Sequence, residues 1–381
     1  MTDQPSPSPI RVAEIAGDAA FAALATTWRD LFDATPDATP FDSYEWLSAW
    51  RRRRGRGEPL ALVAYEDDIP IAAMPLMRVS WPFNMLRWMG APDSDYHDMV
   101  GGRRREECAA AFLAHLDDRP GWRLCDLRGL RPEALSRLSA PLGPVSTELQ
   151  PCAALSLPAS REDFERAMAR KLRWSLKRGA TLLKDECGDV SFSTVARPED
   201  LPAAMDDLFR LHTARLNKKG DRGAFAQSSS RLFHQEIAEK FLERGWLRLH
   251  RAMAGGSCIA ALYCFHLRGT TYYYLGGFDP AFSRFSPGAL VINHAILTAI
   301  DEGAREFDFM RGAEDYKSRW KAESRVSGRI VFGPRGRVSR VILVARRMGQ
   351  TLRGLWRPES GGGAKNAAAP PSYSSNTPSS A

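Results

Sequence analysis

One order of elements occurs twice in this chain, and a duplicated unit constrains the fold more than any other feature. Residues 60–129 read as a strand, a hairpin, a strand ending in Gly90-Ala91-Pro92-Asp93, a helix, and a strand closing on Leu127-Arg128-Gly129. Residues 246–312 repeat that order, with Gly276-Gly277-Phe278-Asp279 after the third strand and Met310-Arg311-Gly312 after the last. Solenoid periods run ~20–50 residues, so a repeat of this length is a duplicated domain. Each copy predicts an antiparallel sheet followed by one helix crossing to a further strand, an α+β arrangement of two mixed, antiparallel-rich sheets flanked by helices.

The expected halves are 10–150 and 151–357, between polar, disordered ends at 1–9 and 358–381; the latter is Gly, Ala, Ser and Pro, too poor in apolar residues to offset ordering entropy. In the first half, 18–34 reads as a helix, and Ser43 or Asp42 caps another from Tyr44. In the second, 153–157 is a strand, one basic helix runs from Ser160 to about Asp185, and 279–285 is a loop. Gly333-Pro334-Arg335-Gly336 marks a final hairpin.

Six cysteines stand without C-x-x-C spacing or a nearby His, which predicts reduced thiols, no zinc site and a cytoplasmic setting. The N-terminus lacks the basic start and apolar run of a secretory signal, and no apolar stretch reaches the ~18 residues a span needs. The net charge of +8 favours an anionic partner. No zinc finger, RNA-binding signature or clear helix-turn-helix accompanies it, which argues against nucleic acid.

Ser286-Pro287-Gly288 opens a helix with a good N-cap residue, a Pro where the missing N–H costs nothing, and a Gly that leaves the approach clear. The amides of Gly288, Ala289 and Leu290 are expected to point outward unpaired, a seat for a diphosphate. Behind them, Ala289, Ile292, Ala295, Ile296 and Ala299 form an apolar stripe. In the strand after the helix, alternation sends Phe307 and Phe309 inward and leaves Asp308 as a carboxylate in apolar surroundings, which asks for a partner in Arg311, Lys317 or Tyr274. A structural ion pair and a catalytic role both fit Asp308. Lys171, Arg173, Lys177, Arg178 and Lys184 alternate with Leu172, Trp174, Leu176 and Leu182; this helix reads as a solvated cationic face, or as a strip for an anionic acceptor or a membrane surface. His212 and His294 read as satisfied rings, and His97 as a cleft residue on a loop.

Four short motifs taken in order, Tyr272-Tyr273-Tyr274-Leu275-Gly276-Gly277-Phe278-Asp279-Pro280, Phe285-Ser286-Pro287-Gly288, Phe307-Asp308-Phe309-Met310-Arg311-Gly312 and Tyr316-Lys317-Ser318-Arg319-Trp320, resemble the BioF2-like acetyltransferase domain of the GNAT superfamily. That family includes proteins linked to exopolysaccharide synthesis and is similar to the Fem-type transferases of peptidoglycan precursors. The resemblance extends through Lys171, Arg173, Lys177 and Arg178, and in the first half through Phe41 to Trp50, Pro75-Leu76 and Ser94-Asp95-Tyr96. It implies a tandem GNAT-like fold and transfer of an acyl group from acyl-CoA, without a metal, to an amine or hydroxyl of a small molecule or glycan precursor.

In that reading Arg284, Ser286, Gly288, Ala289 and Leu290 hold the donor. Asp308 takes the acceptor proton, and Tyr316 or Tyr274 protonates the leaving thiolate. Lys317 and Arg311 meet an anionic substrate group, with Trp320, Lys171, Arg173, Asp95 and Tyr96 as further substrate residues. The segment Arg284 to Ala289 departs from the Arg/Gln-x-x-Gly-x-Gly/Ala loop of ordinary acetyltransferases, and the first half, with Met99-Val100-Gly101-Gly102-Arg103 there, is expected to shape a substrate cleft without chemistry. Two rivals stand beside this reading: an aminoacyl-tRNA-dependent Fem-type ligase, whose long helical-hairpin arm the sequence does not show, and a non-catalytic scaffold in a polysaccharide-synthesis complex.

Overall fold

The computed structural model describes residues 8–80, 84–119, 121–142, 146–217, 223–312 and 314–334. The tail at 358–381, most of the N-terminal segment, and Arg335-Gly336 of the expected last hairpin lie outside them. The chain divides into two compact units, residues 8–151 with 325–334, and residues 152–324.

The first unit opens with β1 (Arg11–Ala16), α1 (Asp18–Ala23), α2 (Ala25–Asp33) and α3 (Tyr44–Arg53). It continues through β2 (Glu58–Glu66), β3 (Ile69–Val79), β4 (Met85–Trp88), α4 (Arg105–Asp118), β5 (Leu124–Leu130) and α5 (Pro132–Ser139). The expected 18–34 helix is two helices, because Leu24 turns the backbone to φ −77°, ψ −1° between them. Ser43 caps α3 by accepting from the Trp46 amide. Asp42 instead closes the preceding turn, accepting from the Thr39 amide and hydroxyl at 2.9 and 2.7 Å.

Asp42 also accepts from the Asp98 amide at 3.2 Å and is 3% exposed. Burial pushes its carboxyl up to about 6, against the opposing Thr39 hydrogen bonds and with help from the Asp98 charge. A carboxyl whose folded pKa lies above its unfolded one holds its stabilisation below the unfolded value. It loses that stabilisation as pH rises from about 4 to about 6, by up to about 3 kcal/mol. Thermal unfolding across this window should therefore show a falling component in the wild type that is missing from Asp42→Asn; equal pH slopes in the two proteins would overturn the assignment.

The second unit takes over inside β6 (Ser146–Ser156). It continues with α6 (Arg161–Ala167), α7 (Arg170–Cys187), β7 (Val190–Thr194), α8 (Leu201–Asn217) and α9 (Ser228–Glu243). After these come β8 (Leu247–Ala254), β9 (Ser257–Leu267), β10 (Thr270–Phe278), α10 (Pro287–Asp301), β11 (Glu306–Arg311) and α11 (Asp315–Arg319). The chain then enters β12 (Glu323–Phe332), which returns to the first unit and pairs antiparallel with β5, Gly328 opposite Leu130. The expected single basic helix is broken at Met168 and Ala169, whose ψ angles of 137° and 133° are extended. The cause is a side chain: Arg173 reaches back to the carbonyls of Glu165, Arg166 and Met168 and terminates α6. The expected loop 279–285 contains a 3₁₀ turn, Pro280–Phe285, started by Asp279 accepting from the Ala281 amide.

Sheet order is β1-β2-β3-β4-β5-β12 in the first unit and β6-β11-β10-β9-β8-β7 in the second. The repeat is visible in the pairing. β2–β3 and β8–β9 are antiparallel, β4 pairs parallel with β5, and β10 pairs parallel with β11, with α4 and α10 as the crossings. From Cys258 to Phe265, β9 is an unbroken apolar run, as expected of a strand buried on both faces. Ile292, Ala295, Ile296 and Ala299 of α10 share one core cluster with Phe307, Phe309 and Leu262, each large aliphatic side chain contributing ~1.5–3 kcal/mol when fully buried. Among the described residues no helix is long and apolar enough to cross a membrane.

Candidate active site

Strands β10 and β11 pair at only three positions, Thr270 with Glu306, Thr271 with Phe307 and Tyr272 with Asp308. Just beyond, each strand carries an irregularity against its other neighbour: β10 shifts register on β9 between Tyr273 and Leu275, and β11 shifts on β6 between Asp308 and Met310. Bulges bend and twist a strand, and here the pair forks.

The β11 irregularity is built on Met310, a fully buried non-glycine residue at φ 60°. That conformation costs roughly 1–2 kcal/mol in an L-residue, and both sides of the residue are clamped. Its N–H donates to Asp308 Oδ1 at 2.6 Å, and its carbonyl accepts from Lys317 Nζ at 3.1 Å. Lys317, 2% exposed, also donates to the carbonyls of Arg311 and Gly312 at 2.9 and 3.1 Å and pairs with Glu314 at 2.9 Å. The reading of Lys317 as a ligand for an anionic substrate meets a physical obstacle, since its ammonium is spent on the chain; it positions the fork.

Across the fork stand Tyr273, Tyr316 and Arg215, at 1%, 2% and 5% exposure. The Phe309 ring lies 6.3 Å from the Tyr273 ring and 6.2 Å from that of Tyr316. Arg215 Nη1 donates to the Gly276 carbonyl at 3.1 Å, and its Nη2 has no hydrogen-bond partner among the described residues, while the Tyr316 hydroxyl interacts with that of Tyr273. Burial pushes both phenols well above the ordinary tyrosine range, so each stays a neutral O–H donor. Burial also lowers Arg215, opposed by Tyr273, Tyr316 and Glu314. A buried guanidinium with a donor to spare is costly to keep. Donors held ready in a dry site can instead stabilise an oxyanion. Gly277 makes the arrangement feasible, because a Cβ there would stand 2.2 Å from the His212 nitrogen; only glycine lets α8 lie this close to β10.

Sequence reasoning passed over Arg215, though a signal existed. Leu201, Ala204, Leu208 and Leu211 form the buried stripe of α8, and His212 and Arg215 continue it, so a cation sits where helical spacing calls for an apolar residue.

The other expected residues are distributed as follows. Tyr274 is buried among rings, 5.4 Å from Phe265 and 5.6 Å from His234 of α9, on the side of β10 away from Phe307 and Phe309. At the start of α10, Ser286 caps from a left-handed conformation (φ 55°) without using its side chain. Its carbonyl accepts from the amides of both Ala289 and Leu290 at 2.9 and 3.2 Å. Of the three amides expected to be free, the Gly288 amide alone is not tied to Ser286. The Phe278 ring lies 3.3 Å from where a Gly288 Cβ would stand, so the seat is narrower than the sequence suggests. Leu290 belongs to the core, and Arg284 is an exposed residue paired with Glu186 of α7 and lying over the Phe285 ring.

Arg311 is half-buried at the end of β11 and Trp320 is 4% exposed in the core of the second unit. Lys171 and Arg173 are exposed on α7. Asp95 and Tyr96 are buried in the first unit, where Arg131 stands 6.0 Å from the Tyr96 ring. His97, expected as a cleft residue on a loop, does lie on a loop but is buried and stacked on Trp88 at 5.7 Å. His294 stacks on Phe192 and meets the edge of His250. No group of three or more His, Cys, Asp or Glu that could hold a metal stands among the described residues.

Residues 162–318 match the family described as acetyltransferase (GNAT) domain. Among solved structures, FemX is 9% identical, with a TM-score of 0.57 over 80% of this chain and 95% of its own. The C-terminal domain of a lysylphosphatidylglycerol synthetase from Agrobacterium fabrum is 15% identical, with a TM-score of 0.57 over 87% and 97%. L-PGS from Bacillus licheniformis is 13% identical, with a TM-score of 0.53 over 85% and 96%. These likenesses concern the fold. Comparison with curated proteins finds no match. The family match spans the fork, the α10 start and most of α11, so over residues 162–318 the second unit is similar to a GNAT-type acetyltransferase domain.

Proposed function

We propose that the second unit transfers an acyl group from a CoA thioester to an amine or hydroxyl of a small molecule or cell-envelope glycan precursor. The observation that carries this reading is the parting of β10 and β11 beyond Tyr272 and Asp308, beside the start of α10 and backed by the spare buried donor of Arg215. In the reaction the acceptor's nitrogen or oxygen bonds to the carbonyl carbon, the C–S bond breaks, and the acceptor proton leaves to Asp308 directly or through water. Arg215 and Tyr273 donate to the carbonyl oxygen as negative charge gathers there. Tyr316, a neutral phenol, donates a hydrogen bond to the departing thiolate, which takes up its proton from water.

The narrow seat at Gly288 favours a second reading, the aminoacyl donor of a Fem-type ligase rather than CoA. Isothermal titration with acetyl-, octanoyl- and palmitoyl-CoA separates the two. Saturable binding of any of these that Gly288→Trp abolishes supports acyl-CoA. No heat from all three, at protein concentrations above 100 times a micromolar Kd (about −8 kcal/mol), removes CoA and leaves the aminoacyl donor.

A further inference from the structure

The second unit has another cavity, at the closed end of the fork. Leu155 and Ser156 of β6, which line it, pair with Phe307 and Glu306, where β11 is still joined to β10. Its volume is about 360 Å³, within the range of about 300–1,000 Å³ typical of small-molecule sites. The walls are apolar: Leu155, Leu157, Phe164, Met168, Leu172 and Trp320. None of these residues belongs to the donor cluster at Arg215.

The mouth is cationic. Arg319 and Lys321 line it and are exposed, and Lys321 Nζ donates to the Ala167 carbonyl at 2.7 Å. From the same edge rises α7. Between Arg170 and Lys184 it carries Arg170, Lys171, Arg173, Lys177, Arg178 and Lys184, all exposed, and no acidic residue. The neighbouring α6 brings Glu162, Asp163 and Glu165, of which Asp163 pairs with Arg166. Trp174 stands on this helix at 60% exposure with the Arg178 guanidinium 5.2 Å from its ring. An exposed indole among cations is the pattern of a surface that meets an interface with an apolar side and an anionic side.

Neither half of the feature explains the other. A phosphate alone has no use for an apolar cavity, and a neutral apolar ligand has no use for the cations. We infer that this cavity binds the chain of a long-chain anion, an acyl or isoprenoid tail whose phosphate or carboxylate head lies against Lys171, Arg319 and Lys321. The inference requires no covalent step and does not rest on the acyl-transfer reading.

Titration with dodecyl phosphate below its micellar concentration tests it, alongside inorganic phosphate and dodecyltrimethylammonium. Dodecyl phosphate should bind the full chain saturably, at least about tenfold more tightly than either control. Ala167→Trp, at the exposed mouth, should block entry, and Lys171→Glu with Arg319→Glu should reverse the charge; each should weaken binding about tenfold with an unchanged unfolding midpoint. Equal affinity for the cationic chain, or unaltered dodecyl phosphate binding in folded Ala167→Trp, overturns the inference. The charge reversal lies wholly on the surface and carries the test if the tryptophan variant does not fold.

Discussion

Replacing Lys317 with methionine is expected to cost the second unit about 3–5 kcal/mol, the loss found when one partner of a buried ionic cluster is removed. The side chains are close in volume, so little of the loss comes from a cavity. It comes from stranded acceptors: the carbonyls of Met310, Arg311 and Gly312 and the Glu314 carboxylate all turn toward one ammonium. Without it, the left-handed Met310 loses the clamp on its carbonyl, and the exit of β11 relaxes. Urea unfolding of the two proteins measures the difference. A loss below 1 kcal/mol would mean that the β11 exit holds its shape without this ammonium.

The second large effect is expected at Asp308. An Asn there keeps an oxygen to accept from the Met310 amide while removing the charge. Folding should therefore survive, and turnover, followed as release of free CoA thiol, should fall by about 10²–10⁴, the range of a lost general base. Asp308→Ala removes both functions and should lose stability as well. Full turnover in a folded Asn variant would reduce the carboxylate to a support for the bulge.

The repeated order of elements was legible because hairpins, turns and amphipathic stripes are local patterns. The fork was legible only in outline. Its making depends on two register shifts and on a methionine in a glycine-like conformation, neither of which a residue name reveals. Lys317 stood out as a cation in a motif, but its role is set by carbonyls seven, six and five residues upstream that converge only after β11 bends. Arg215 was hidden for the opposite reason: helical spacing placed it on a buried face, and the eye reads such a face for what is apolar. The break in the basic helix at Met168 escaped because it is imposed by the reach of Arg173. At the start of α10 the Leu290 amide is the first intrahelical donor and bonds the Ser286 carbonyl as in any helix, and the Ala289 amide turns to the same carbonyl.

Gly179 on α7 has no side chain between it and the turn ahead of α10: a Cβ there would stand 2.4 Å from the Phe285 carbonyl. Main chain rests on main chain, with no rotamer in between to take up slack. Any side chain at 179 would have to push aside the turn that leads into Ser286 and Gly288, so the seating of that turn on α7 depends on this one missing methyl.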